Sequence, residues 1–135
     1  MNLPPYKKID MESWPRREHY HYYTDILKVN YSMTARLDVT RLRAECDRLG
    51  VHFYAAFIWC VSNVVNRLEF MKMMTDAEGH PGVWDVVHPN YTIFHKDDHT
   101  FSDCWSEYSP DFAAFYDNIE KDMDAAKKVR GVKAK

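Results

Sequence analysis

A chain of 135 residues has the length of one compact domain, able to bury roughly two-thirds of its unfolded surface and too short for two. Apolar residues at 46% and charged residues at 28% exclude a disordered or collagen-like chain, and 18 Lys+Arg against 20 Asp+Glu excludes the basic footprint of a general nucleic-acid binder. Cys46, Cys60 and Cys104 form no CxxC pair, the N-terminus lacks an apolar leader, and no stretch reaches the roughly 18 apolar residues of a membrane span, so a cytoplasmic protein with no membrane partner is expected.

Ser13 to Tyr23 reads as a short aromatic helix, with Ser13 as N-cap candidate ahead of Trp14 and Pro15; proline suits a first turn because its missing N–H is unneeded there. From Ile26 to Asp38 the period changes to two. Leu27, Val29, Tyr31, Met33, Ala35 and Leu37 alternate with Lys28, Asn30, Ser32, Thr34, Arg36 and Asp38, the pattern of a strand with one buried face. Asp38 then caps a helix in which Leu42, Cys46 and Leu49 recur at helical spacing, with Gly50 at its C-terminal stop.

Phe53 to Phe70 is apolar for most of its length, which predicts a helix buried on several sides. Met71–Met74 and Val83–Val87 flank the turn-rich run from Asp76 to Gly82 as a hairpin with a long loop. Tyr91–His95 and Thr100–Glu107 form a second hairpin about Lys96-Asp97-Asp98-His99. Ser109-Pro110-Asp111 opens a last helix with Phe112, Phe115, Tyr116, Ile119 and Met123 on one stripe, and Lys127 to Lys135 reads as a frayed basic tail. The order predicts an α/β two-layer sandwich, helices on one face of a mostly antiparallel sheet, as a single domain over residues 1–135.

The chemistry-bearing residues give few motifs. His95 and His99 lie four apart with Asp97 and Asp98 between them, but convergence on a metal at that spacing needs a helix and this segment reads as a turn, so no metal is expected. His19 and His21, two apart, point to different sides of a helix, and a hydrogen bond to backbone is the expected role for one of them. Cys46 and Cys60 occupy apolar helical positions, where a thiol acts as a small hydrophobe. No Gly-rich phosphate loop or G-x-S-x-G is present. The aromatic set Tyr20, Tyr22, Tyr23, Tyr31, Phe94, Phe101 and Trp105 has two readings: core packing, or a flat apolar pocket edged with phenols and suited to an aromatic small molecule.

The blocks Ile9-Asp10 and Trp14-Pro15-Arg16-Arg17-Glu18-His19-Tyr20 resemble the opening of the chloramphenicol acetyltransferases. So do Leu37-Asp38-Val39-Thr40, Phe53-Tyr54-Ala55-Ala56-Phe57-Ile58, Trp84-Asp85 with His88-Pro89, Tyr91-Thr92-Ile93-Phe94-His95, and Thr100-Phe101-Ser102 with Trp105-Ser106-Glu107-Tyr108, in order and spacing up to about Asp122. The resemblance implies the family's fold, acetyl-CoA as co-substrate, a homotrimer, and transfer of acetyl to a hydroxyl of chloramphenicol or a related xenobiotic.

It further implies an acceptor pocket at a subunit interface, to which Tyr22, Tyr23, Leu27, Val29, Tyr31 and Phe101 correspond. Arg16 corresponds to a structural arginine that in the family pairs with the aspartate of a C-terminal His-His-x-x-x-Asp-Gly motif, the source of the general base. That motif does not occur in these 135 residues. The expectation is therefore the N-terminal part of the family's fold, with no catalytic residue of its own and no turnover alone. The alternatives are a non-catalytic small-molecule-binding or assembly module and an inactive truncated gene product.

Overall fold

A computed structural model of the chain describes residues 4–135. The elements are β1 (Tyr6–Lys8), α1 (Arg17–His21) running into a π-helical turn (Tyr22–Ile26), α2 (Thr40–Leu49), α3 (Phe53–Arg67), a 3-10 turn (Glu69–Lys72), β2 (Met73–Thr75), β3 (Pro81–Trp84), β4 (Asn90–His95), β5 (Thr100–Trp105) and α4 (Phe112–Ala126). The strands form two antiparallel sheets, β1-β3-β2 and the β4-β5 hairpin. Tyr6 lies opposite Trp84, Met73 opposite Val83, and Phe94 opposite Phe101. This mixture of helices and antiparallel sheet is the predicted class.

Strict alternation in the β4-β5 hairpin sorts its two faces. Tyr91, Ile93, His95, Ser102 and Cys104 point inward, while Phe94 and Phe101 point out. The inner face meets the α4 stripe of Phe115, Ile119, Met123 and Ala126, and Ala55 of α3 completes the core. Burying Phe115 and Ile119, both fully inaccessible, stabilises the fold by about 1.5–3 kcal/mol each. Asp111 caps α4 by accepting from the Ala114 N–H at 2.8 Å, and Gly50 ends α2 in the left-handed region at φ 67°.

Four expectations are corrected. Helix α1 starts at Arg17, not Ser13: the Ser13 hydroxyl donates to the Asp10 carboxylate at 2.6 Å, and the Glu12 N–H donates to the same side chain, closing a turn before the helix. The segment from Ile26 to Asp38 forms no strand. Lys28 takes a left-handed φ of 50°, the backbone beyond it has no ladder, and Tyr31 and Met33 are 89% and 81% exposed.

Helix α3 is buried mainly along one side, with Tyr54, Val61 and Val64 facing outward. The tail is docked, not frayed. Asp103 bridges Lys133 in parallel, its N–H reaching the Val132 carbonyl at 2.6 Å and its carbonyl accepting from the Ala134 N–H at 2.9 Å. Strand β1, which no local pattern announces, owes its place to Tyr6. The Tyr6 ring lies where a Cβ on Gly82 would stand, and its hydroxyl reaches the carbonyls of Met74 (3.0 Å) and His80 (2.7 Å).

Candidate functional site

The aromatic cluster begins where α1 widens. The Thr24 hydroxyl donates to the Tyr20 carbonyl at 2.8 Å, competing for the acceptor that an ordinary helical N–H would use, and the Leu27 N–H reaches five residues back to Tyr22 at 3.0 Å. The π-helical turn places Tyr22 and Tyr23 edge to face, with ring centroids 5.3 Å apart. With Glu18 and His19 they line an open hollow of about 410 Å³. The hollow offers two phenols, an imidazole and a carboxylate to a hydroxyl-bearing ligand, beside aromatic surface.

Of the residues that the sequence marks for the pocket, the structure brings four to this hollow or next to it. Tyr22 and Tyr23 form its wall, and Leu27 and Val29 are tied back to them through N–H bonds to the Tyr22 and Tyr23 carbonyls at 3.0 and 3.3 Å. All four are about half exposed. Tyr31 projects into solvent on the unpaired segment, and Phe101 stands on the outer face of the β4-β5 hairpin opposite Phe94. Glu18 and His19 are pocket residues that sequence reasoning misses. Their signal is helical spacing, since Glu18 and Tyr22 are four apart and His19 and Tyr23 are four apart.

Arg16 sits on the rim of a second cleft of about 590 Å³, lined among others by Lys7, Trp14, Arg67, Glu69 and Trp84. Its guanidinium lies 5.4 Å from the Trp14 ring centroid, a cation–π contact, and among the described residues it has no carboxylate partner. A third groove, about 500 Å³ and mostly apolar, runs between α3 and the β3-β4 connection, with Tyr54, Phe57, Val61, His88 and Thr92 on its walls. Asn66 sews that connection to the helix, its amide donating to the Val87 carbonyl and accepting from the Val87 N–H, both at 2.9 Å. His88 accepts from the Tyr108 N–H at its Nδ1, which puts the ring proton on Nε2. The outward stripe of α3 is the sequence signal for this groove, and by its apolar character alone it reads as core.

Several of the other titratable groups are occupied structurally. Ser102 donates to the Gly131 carbonyl at 2.6 Å, so His95 must donate to Ser102 from Nε2 (2.9 Å) and accept from the Arg130 guanidinium at Nδ1 (3.2 Å). Arg130 also holds Asp97 at 2.5 Å and lies 3.6 Å from Asp98, so these carboxylates face a guanidinium. His21 bonds the Asp25 carboxylate at 2.8 Å, not backbone. Tyr91 donates to Ser106 and Ser106 to Asp122, at 2.6 and 2.7 Å, and burial pushes the Tyr91 phenol above its usual range. Burial foremost, then the neighbouring Cys46, raises the Cys60 thiol and keeps it protonated. Asp76, Glu78 and His80 bring ligand atoms within 4.8 Å of one another, with the Lys8 ammonium 2.8 Å from Asp76 in the place of a cation.

Comparison with known proteins gives one answer at the level of family. The chloramphenicol acetyltransferase family model matches residues 4–134. A chloramphenicol acetyltransferase of Streptomyces acrimycini is 39% identical over 115 residues, which is 85% of this chain and 52% of that protein. One of Campylobacter coli is 35% identical over 130 residues, 96% of this chain and 61% of the relative. A solved chloramphenicol acetyltransferase structure superposes with a TM-score of 0.86 at 20% identity, covering 94% of this chain and 59% of that one. The chain thus spans about half to three-fifths of the length of the proteins it matches. With the same fold, the same motif order and a family match over nearly every residue, the chain belongs to the chloramphenicol acetyltransferase family.

Proposed function

We propose that this chain serves acetyl transfer from acetyl-CoA to a hydroxyl of chloramphenicol or a related hydroxylated xenobiotic, and that it builds the acceptor side of that site. In this reaction the acceptor oxygen attacks the thioester carbonyl, the C–S bond breaks, and the hydroxyl proton leaves through a general base while CoA departs as the thiol. The observation that carries the reading is the hollow at Tyr22 and Tyr23, in a chain whose family match runs from residue 4 to residue 134. Leu27 and Val29 adjoin this wall, while Tyr31 and Phe101 stand away from the hollow in the single chain and join the site only in a pocket closed by a neighbouring subunit of a homotrimer. Arg16 is the structural member, waiting over Trp14 for a carboxylate.

In this reading residues 1–135 form one domain, the N-terminal part of the family's fold, working in the cytoplasm. The general base belongs to the His-His-x-x-x-Asp-Gly segment, which these residues do not contain. The chain alone, mixed with acetyl-CoA and chloramphenicol, should therefore release thiol no faster than the protein-free control in a spectrophotometric assay. Turnover above that control would overturn the assignment of the base. Calorimetric titration with chloramphenicol should give saturable heat at millimolar ligand, lost in Tyr22→Ala/Tyr23→Ala. A second reading, a binding or assembly module without chemistry, draws on the half-exposed aromatic surface. It predicts the same heat, and still no thiol release after a polypeptide carrying that motif is supplied.

A further inference from the structure

Acetyl transfer as read above uses none of the three cysteines, and two of them meet. Cys46 of α2 and Cys60 of α3 stand on the wall of one hollow of about 160 Å³ between the two helices. The rest of the wall is apolar, with Leu49, Val51, Trp59 and Phe112 around the thiols. Trp59 is fixed there by its indole N–H, which donates to the Ser109 carbonyl at 3.1 Å, and by the Phe112 ring edge to face at 5.3 Å. Ala56, one helical turn before Cys60, has a side chain too small to fill the space. The one carboxylate on the rim, Glu45, is held by the Arg48 guanidinium at 2.8 Å.

Cys46 is buried and Cys60 half-buried, and both are free thiols. Among the described residues neither has a hydrogen-bond partner, whereas the Cys104 thiol lies 3.8 Å from the Trp105 and Asp122 carbonyls. Two unpartnered sulfurs therefore face one small apolar space. We infer that this hollow is a paired-thiol site for a thiophile that bonds both sulfurs and carries a small apolar group, the class of monosubstituted trivalent arsenicals. Both S–H bonds and the arsenic–oxygen bonds break, two As–S bonds form, and the two protons leave with the oxygen as water. No atom changes oxidation state. The adduct is neutral, which suits a hollow where burial keeps Cys60 protonated and disfavours a standing thiolate. A dry apolar cavity of about 150 Å³ holds a benzene ring, so a phenyl substituent has room here. A tetrahedral zinc site needs four donors, and a hard cation needs oxygen ligands; two sulfurs in an apolar wall suit neither.

The test adds phenylarsine oxide to the whole chain after reduction and removal of the reductant. Intact mass should show one phenylarsenic group per chain with the loss of two thiol hydrogens, and peptide mapping should place it on Cys46 and Cys60. A bidentate adduct resists excess 2-mercaptoethanol and is released by dithiothreitol. Losing one sulfur removes the gain of intramolecular bonding, so Cys60→Ala and Cys46→Ala should each bind at least about a hundredfold more weakly. Cys60→Ala trims a half-buried side chain, so the comparison stands even if Cys46→Ala fails its thermal melt. Stapling α2 to α3 should also slow amide exchange across residues 42–60. No adduct, an adduct that 2-mercaptoethanol strips, an affinity unchanged in Cys60→Ala, or arsenic mapped to Cys104 overturns the inference. Neither Tyr22 nor Tyr23 lines this hollow, and neither chloramphenicol nor acetyl-CoA is present, so failure here leaves the acetyl-transfer reading untouched.

Discussion

At the scale of the residue, buried and partly buried polar groups are committed to holding the fold. Asp76 shows it best: its Oδ1 accepts from the Glu78 and His80 N–H groups at 3.1 and 2.8 Å, and the Lys8 ammonium sits 2.8 Å from Oδ2. Lys8 above all, with the His80 N–H, lowers the Asp76 carboxyl from 3.8 to about 2. A carboxyl lowered by folding stabilises the native state above its unfolded value, and that contribution fades as pH falls from 3.8 through about 2. Thermal melts between pH 5 and pH 2 should therefore fall more steeply for the parent chain than for Asp76→Asn, which has already lost the charge. Apolar burial contributes more than this carboxylate does. Ile119→Ala should cost about 2–5 kcal/mol in urea unfolding, whereas Tyr31→Ala, at a side chain 89% exposed, should stay within about 0.5 kcal/mol of the parent.

At the scale of the element, segments are decided by what they meet. The tail has no core-forming residues of its own beyond Ala134, yet it is held by a relay that runs from Arg130 through His95 and Ser102 to the Gly131 carbonyl. Lys135 adds an ion pair to Asp122 at 2.7 Å and lies 4.5 Å from the Trp105 ring centroid. Removing the hydroxyl in Ser102→Ala leaves a buried imidazole N–H and a carbonyl unpaired, a cost of about 1–3 kcal/mol. Trypsin should then cleave after Lys127, Lys128 or Arg130 faster than in the parent, while the β4-β5 hairpin stays intact; an unchanged cleavage rate would show that the relay does not hold the tail. The ribbon from Leu27 to Leu37 is the opposite case, with strong strand periodicity and no partner strand. Its amides should exchange on the fast end of the scale in the chain alone.

At the scale of the whole molecule, the α4 stripe and the inner face of the hairpin make one good core, and much apolar surface remains outside it. Tyr31, Met33, Leu37, Phe70, Val64, Phe94 and Phe101 are all more than half exposed. Scattered apolar side chains are normal on a surface, but contiguous runs of them mark an interface. The chain alone should therefore bind an apolar fluorescent dye strongly at neutral pH without losing its cooperative melt, and the Tyr31→Asp/Met33→Asp variant should bind measurably less. Dye fluorescence equal in the two proteins would place the sticky surface elsewhere. Among the described residues no helix is long and apolar enough to cross a membrane, so this surface is not a helical span.

Local patterns determined much of this molecule. Turn residues and period-two alternation located the β4-β5 hairpin, Asp111 and the Phe115, Ile119, Met123 spacing located α4, and Gly50 stopped α2, because these signals act within a few residues of one another. Family motifs at Trp14 to Tyr20 and at Tyr91 to His95 were equally legible, since a motif is itself a local pattern. Tertiary structure alone decided what depends on distant partners. It left the ribbon unpaired because a strand exists only with a neighbour to bond. It turned one face of α3 outward because burial needs a second layer, and it docked the tail through His95 and Arg130, 35 positions apart. The aromatic set flagged by composition was split the same way: Tyr22 and Tyr23 were joined by a helical turn that their own neighbourhood encodes, while Tyr31 and Phe101 were placed by contacts, or their absence, that no local pattern carries.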